Sequence, residues 1–100
     1  MSKLVHLKNL VRTQNPDKAN EQRIRFDVCA QMQGVSMFRD LSIKDEEKTF
    51  DLQIAFSDVN NMVFHHANLA NVERLMNDLT AYLADPAVQF AKFDLLDYEA

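Results

Sequence analysis

The chain has 100 residues, of which 47% are hydrophobic and 26% are charged, with a formal net charge of −4 and a single cysteine. A chain of this length holds one core, so we expect a single domain over residues 1–100, without the deep cleft between lobes that most cofactor-dependent enzymes use. No segment approaches the roughly 20 apolar residues that cross a membrane, and the first residues do not resemble a signal peptide. Because a lone cysteine also excludes an intrachain disulfide, we expect a cytoplasmic protein.

The charge is unevenly spread along the chain. Residues 1–25 hold six basic and two acidic side chains, whereas residues 75–100 hold one basic and five acidic side chains. An acidic chain is a poor candidate for non-specific binding to duplex nucleic acid, because that binding depends on neutralising phosphates. The basic first quarter nevertheless keeps a nucleic-acid-binding role open.

The first 30 residues predict a β-hairpin. Residues 3–13 fit either a helical stripe or a strand, and we favour a strand because the polar residues 14–21 are typical of a long hairpin connection. Residues 22–30 alternate between polar or charged and apolar side chains, the apolar ones being Ile24, Phe26, Val28 and Ala30. This alternation is typical of a strand with one buried face. Residues 35–43 could form a further strand or an irregular crossover.

The clearest strand covers residues 48–57, where every second position is apolar: Phe50, Leu52, Ile54 and Phe56. A turn at residues 57–61 connects it to a shorter predicted strand at residues 61–66. Turns in this chain fall largely to asparagine, because Gly34 is the only glycine and asparagine tolerates a positive φ angle.

An amphipathic helix is predicted over residues 69–84. Asn68 can cap its first turn, and apolar residues recur at three- and four-residue spacing: Leu69, Val72, Leu75, Met76, Leu79, Tyr82 and Leu83. Asp85 and Pro86 end it, and the same pair could begin a short second helix. The predicted fold class is therefore α+β, with an antiparallel sheet of four or five strands packed against one main C-terminal amphipathic helix.

The residue patterns do not indicate a catalytic or metal site. His65 and His66 are neighbours on a strand, so their rings point to opposite sides, and we expect one half-buried and one exposed imidazole. Cys29 lies in mid-strand, where the usual role is packing or a place on a mildly exposed face, and a structural thiol is far more common than a nucleophile. One glycine cannot build a phosphate-binding loop, and the three acidic residues 45–47 are typical of a solvated loop. We therefore expect no enzyme activity, cofactor, metal or small-molecule substrate.

A basic cluster is the first candidate surface for a partner. Arg12, Arg23 and Arg25 should gather at the turn end of the N-terminal hairpin. There they could meet an acidic protein surface or phosphates, or simply be solvated. No aromatic residue on that face of the second strand is available to stack a base, which favours a protein partner over nucleic acid.

An apolar surface is the second candidate. The last residues carry a large apolar load among acidic side chains, and a terminus frays unless it is docked. The segment could pack on the sheet or helix of its own chain. Alternatively, part of the segment meets a partner or a second copy, together with Met37 and Phe38, which we expect to lie nearby. The residues concerned are Met37, Phe38, Phe93, Leu96 and Tyr98.

The function that these patterns favour is a non-enzymatic protein-binding module. Such a module could be a small regulator or inhibitor of a larger protein partner or complex, or a subunit of an assembly. The alternative is a nucleic-acid-binding accessory protein that uses the basic hairpin. We also expect a homodimer, because a small sheet leaves edge strands that natural proteins usually cover or pair.

Overall fold

Within the described residues, five strands, one α-helix and one short 3₁₀ helix make up the fold. The computed structural model describes the backbone of residues 2–14, 22–38 and 50–99 and the side chains of residues 2–11, 24–38 and 50–99. In chain order the elements are β1 (Lys3–Gln14), β2 (Gln22–Phe38), β3 (Phe50–Phe56), β4 (Met62–His66), α1 (Leu69–Ala84), β5 (Phe90–Asp94) and the 3₁₀ helix (Leu95–Tyr98).

The strands form one mixed sheet in the order β4-β3-β2-β1-β5. β1 to β4 are antiparallel neighbours, but β5 lies parallel to β1, with Leu4 opposite Phe90 and Lys8 opposite Asp94. The prediction of a purely antiparallel sheet is therefore wrong at this edge. The reason is that the chain reaches β5 after crossing the sheet on the helix, and not through a hairpin turn.

The α-helix has the predicted bounds, but it lies in mid-chain and not at the C-terminus. The side chain of Asn68 accepts a 3.0 Å hydrogen bond from the backbone N–H of Ala70 and so caps its first turn. A helix of 16 residues is about 24 Å long, and four strand spacings amount to about 19 Å. α1 is thus long enough to carry the chain from β4 at one edge of the sheet to β5 at the other. The short helix predicted from Asp85 and Pro86 is not formed, because a turn lies there.

β2 belongs to both halves of the sheet. Its first part pairs with β1 as far as Met32, and its last part pairs with β3 from Met32 to Phe38. The pairing register with β3 shifts between Met32 and Gly34, which marks a β-bulge. Bulges bend the strand that contains them, and this one lies where the two halves of the sheet meet.

Contacts made by Glu99 show how far the sheet bends. Its carboxylate binds Arg25 on the first part of β2, and its carbonyl oxygen lies 3.3 Å from the ring nitrogen Nε2 of His66 at the end of β4. His66 lies opposite Phe50, which is the chain neighbour of the Asp51 that pairs with Phe38. In a straight strand Arg25 and Phe38 would be about 43 Å apart. Glu99 can contact both Arg25 and His66 only because the two halves of the sheet bend towards each other.

The core lies between the inner face of this bent sheet and α1. It includes residues from every strand, with the largest fully buried side chains being Leu7, Leu10, Met32, Leu52, Ile54, Leu75, Leu79 and Leu95. Lys3 is also buried, and its Nζ donates hydrogen bonds to the carbonyl oxygens of Tyr82, Asp85 and Val88. The Tyr82 carbonyl lies in the last turn of α1 and the carbonyls of Asp85 and Val88 follow it, so Lys3 supplies donors to backbone acceptors at the C-terminal end of the helix.

Several local predictions are confirmed. Residues 3–13 belong to a strand, and His65 is exposed while His66 is half-buried. Residues 35–38 continue β2, whereas residues 39–43 of the same prediction lie outside the described part of the chain. The connection at residues 15–21, the acidic residues 45–47 and the start of the strand predicted at residues 48–57 also lie outside it.

Candidate binding groove

A groove separates β4 from the end of the β1–β2 hairpin, and we call it the β4 groove. It consists of two cavities of about 340 and 380 Å³ that share Val11, Val63 and His65. One side is lined by β4 and the residues before it: Asn60, Asn61, Met62, Val63, Phe64, His65 and His66. The other residues that line it come from the hairpin and the C-terminus: Leu10, Val11, Arg25, Phe26 and Glu99.

The groove follows the edge of β4 and not one of its faces. Successive side chains of a strand point to opposite faces, so a cavity on one face would be lined by every second residue. All residues of β4, from Met62 to His66, line the groove. β4 is also the terminal strand of the sheet, and among the described residues only β3 forms backbone hydrogen bonds with it. One row of its backbone donors and acceptors therefore faces the groove.

A β-bulge at Asn9 bends β1 just before the groove. Asn9 has a φ angle of 62°, and the register between β1 and β2 shifts between Leu7 and Leu10. The backbone N–H of Asn9 donates to the carboxylate of Asp27 (3.1 Å), and its side-chain amide donates to Asp94 (2.9 Å). These hydrogen bonds lower the pKa of both carboxyl groups from their usual value. The bulge is thus held by two ionised carboxylates.

Arg25 and Glu99 form an ion pair at the first cavity. The guanidinium donates two hydrogen bonds to the Glu99 carboxylate, at 3.2 and 2.9 Å, and one to the carbonyl oxygen of Asn9 at 3.1 Å. The hydrogen bond with Glu99 raises the pKa of Arg25. Both side chains are partly exposed, at 43% and 28%, so the pair contributes little to stability, but it neutralises both charges.

The two histidines of the groove also have partners within the chain. Nδ1 of His65 lies 3.2 Å from the Asp51 carboxylate. Nδ1 of His66 accepts a 2.9 Å hydrogen bond from the backbone N–H of Asn68, which leaves its Nε2–H to donate to the carbonyl oxygen of Glu99. The charged side chains of the β4 groove and its two histidines are therefore already paired within the chain, next to the apolar surface of Val11 and Val63.

The predicted basic cluster is only partly described. Arg25 lines the groove, where it binds Glu99. The backbone places Arg12 opposite Ile24 and Arg23 opposite Thr13, both nearer the turn of the hairpin than Arg25. The side chains of Arg12 and Arg23 lie outside the described part of the chain.

The predicted apolar residues divide between core and surface. Phe93 is half-buried with its ring 6.1 Å from that of Tyr82, and Tyr98 is buried, so both join the core. Leu96 on the 3₁₀ helix remains 46% exposed. Met37 and Phe38 are exposed at the end of β2, where they pair with β3.

The sequence patterns missed Val11 and Val63, the two valines that line both cavities. Val63 lies opposite Gln53, on the side of β4 that alternates with the buried Phe64. An apolar residue on the polar side of a short strand was the one signal that could have identified it. No such signal exists for the groove as a whole, because its two sides meet only after β2 has bent.

The structure gives no sign of a metal site in its described residues, where no group of three or more histidine, cysteine, aspartate or glutamate side chains is close enough to bind an ion. None of the described helices is both long enough and apolar enough to cross a membrane. Comparison with protein-family models, with curated proteins and with solved structures gives no match.

Proposed function

We propose that the protein is a non-enzymatic protein-binding module that holds an extended segment of a partner protein in the β4 groove. The observation that carries this proposal is that every residue of an edge strand lines the groove. An extended segment can add itself to such an edge, with main-chain hydrogen bonds supplying affinity and side-chain pockets supplying specificity. The bound segment would become a second strand paired with β4, which among the described residues pairs only with β3.

The chemistry of the groove favours a segment without charged residues at its centre. Arg25 is paired with Glu99 and His65 with Asp51, so a charge on the partner would find no free counter-charge there. Burying an unpaired charge is costly, whereas apolar side chains would cover Val11 and Val63. We therefore expect a segment in which small apolar residues alternate with neutral polar ones.

The proposed module would act as a small regulator or inhibitor of a larger protein or complex, or as a subunit of an assembly. The support is the combination of a short chain with an open strand edge. A cytoplasmic location belongs to the same proposal, since the single cysteine, Cys29, is an exposed free thiol, which suits a reducing compartment.

The test begins with a displayed library of random twelve-residue peptides selected on the full chain. We expect the enriched peptides to alternate apolar and neutral polar residues. Val63→Glu should weaken binding of a selected peptide about tenfold or more, because the carboxylate would lie unpaired beside the bound strand. Val59→Glu is the matched control, since Val59 is exposed in the preceding loop and does not line the groove. It should leave binding within about twofold.

Two results would contradict the proposal. One is a selection whose peptides bind wild type and Val63→Glu equally well. The other is binding of random-sequence RNA or DNA whose affinity falls steeply with salt and depends on Arg12 and Arg23, because that dependence indicates phosphate contacts. The second result would establish the nucleic-acid alternative.

A further inference from the structure

β5 is the other edge strand of the sheet, at the opposite end of the strand order from β4 and its groove. It pairs in parallel with β1 from Phe90 to Asp94, and among the described residues no backbone hydrogen bond reaches its outer edge. Natural proteins usually cover, shorten or charge such an edge, because it is a template for another strand. β5 is short and carries Lys92 and Asp94, but this strand and its flanks also carry exposed apolar residues.

The exposed apolar side chains concentrate around this edge. Six large apolar residues of the described chain are exposed, and three of them lie between residues 88 and 96: Val88 (39%), Phe90 (47%) and Leu96 (46%). Isolated exposed apolar residues are ordinary, but a group of them beside an open strand edge is typical of an interaction site. The question is then which partner fits the edge.

We propose that this partner is a second copy of the same chain, with β5 pairing antiparallel to β5 of the other subunit about a two-fold axis at Phe93. In such a pairing one residue lies opposite itself, and side chains opposite each other share a face. With Phe93 at the axis, Lys92 lies opposite Asp94 of the partner subunit, and the reciprocal pair forms as well. This single register therefore gives the interface two pairs of opposite charge.

The neighbouring registers are less favourable. An axis at Lys92 or at Asp94 would place two like charges opposite each other, and an axis at Ala91 would place Phe90 opposite a lysine. Like charges directly opposite destabilise a strand pair, whereas opposite charges stabilise it. The Phe93 register also brings Phe90 towards the partner's 3₁₀ helix, on which Leu96 is exposed.

Asp94 can take part without losing its bonds within the chain. Both hydrogen bonds that it accepts from described residues, from the Asn9 amide and from the Leu96 backbone N–H, go to Oδ1. Oδ2 can therefore accept from the lysine of the other subunit, and Lys92 is exposed. The proposal does not depend on the β4 groove, which lies at the opposite edge of the sheet.

Sedimentation equilibrium of the full chain tests the register through its charges. Wild type should be a dimer, and Lys92→Glu should raise its dissociation constant about tenfold or more, because two attractive pairs become repulsive. Adding Asp94→Asn to Lys92→Glu should recover part of that loss, since asparagine removes the repulsion and still caps the 3₁₀ helix. Circular dichroism checks that each variant is folded.

A second pair of variants tests the apolar part of the interface. Phe90→Lys should weaken the dimer, whereas Phe38→Lys, at a phenylalanine of nearly equal exposure on β2, should not. A wild-type chain that remains monomeric at millimolar concentration would overturn the proposal. So would a dimer that is unaffected by Lys92→Glu, or one that Phe38→Lys disrupts as strongly as Phe90→Lys. None of these three results would affect the peptide test of the β4 groove.

Discussion

The hydroxyl of Tyr98 donates a 2.6 Å hydrogen bond to Asp78 on α1, and the guanidinium of Arg74 lies 5.2 Å from the centre of its ring. The ring itself is buried. Burial and the neighbouring carboxylate both oppose the loss of the phenolic proton, so the pKa of Tyr98 is raised above its ordinary value of 10.0. A residue that the sequence offered as a partner contact thus anchors the last turn of the chain to the helix.

This raised pKa predicts a loss of stability in alkali. In the unfolded chain Tyr98 releases its proton near pH 10, while in the folded protein it keeps it, so the stabilisation is complete below pH 10 and decreases as the pH rises above it. Tyr98→Phe should lose about 1 kcal/mol at neutral pH and show a shallower decrease between pH 9 and 11. Urea unfolding across this range measures both effects.

Tyr82 is a second tyrosine that affects the stability of the protein in alkali. Burial raises its pKa as well, so some alkaline dependence should persist in Tyr98→Phe. A variant that keeps the full wild-type decrease above pH 10 would show that ionisation of Tyr98 does not cause the alkaline loss of stability.

Elements whose apolar residues recur at a regular spacing could be predicted from the sequence. Elements defined by pairing between residues far apart in the chain could not. α1 and β3 follow the spacing of their own apolar residues, so their position is readable from a short window of sequence. The pairing of β5 with β1 joins Leu4 to Phe90, and five residues carry too little alternation to reveal it. The same limit applies to the β4 groove, because Asn9 and Gly34 can mark bulges in a sequence but do not show which distant strands the bends bring together.

Gly34 offers a test of what the bulge in β2 requires. Its φ angle is not positive, and a Cβ added there would meet no atom within 4 Å. Replacing it by alanine should therefore stabilise the protein by about 0.5 kcal/mol, because alanine reduces the conformational freedom of the unfolded chain. Thermal unfolding of Gly34→Ala measures the change.

Asn9 is the contrasting position in that experiment. It has the positive φ angle, and its side chain binds Asp94. Asn9→Ala should therefore destabilise the protein by about 1–3 kcal/mol, through backbone strain and the lost hydrogen bond. If Gly34→Ala instead destabilised the protein as much as Asn9→Ala does, the bulge at Gly34 would need glycine for a reason other than conformation.

At the scale of the whole molecule, the C-terminal residues connect the two halves of the bent sheet. Leu95 and Tyr98 are buried between β1 and α1, and the carbonyl oxygen of Tyr98 accepts a 2.7 Å hydrogen bond from the side chain of Asn71. Glu99 then contacts both Arg25 and His66. A segment with these contacts is part of the core, although Leu96 within it faces outwards.

Removing residues 95–100 should therefore unfold the domain. Truncating a buried leucine costs about 2–5 kcal/mol and losing a large buried aromatic side chain costs about 3–5 kcal/mol, while a domain of this size is stable by about 5–15 kcal/mol in total. Deleting only residues 99–100 is the matched control, because it removes the partly exposed ion pair of Glu99 but keeps the buried Leu95 and Tyr98, so the domain should remain folded. Circular dichroism and thermal unfolding distinguish the two deletions. A chain lacking residues 95–100 that melts like wild type would mean that the segment does not belong to the core and serves a partner instead.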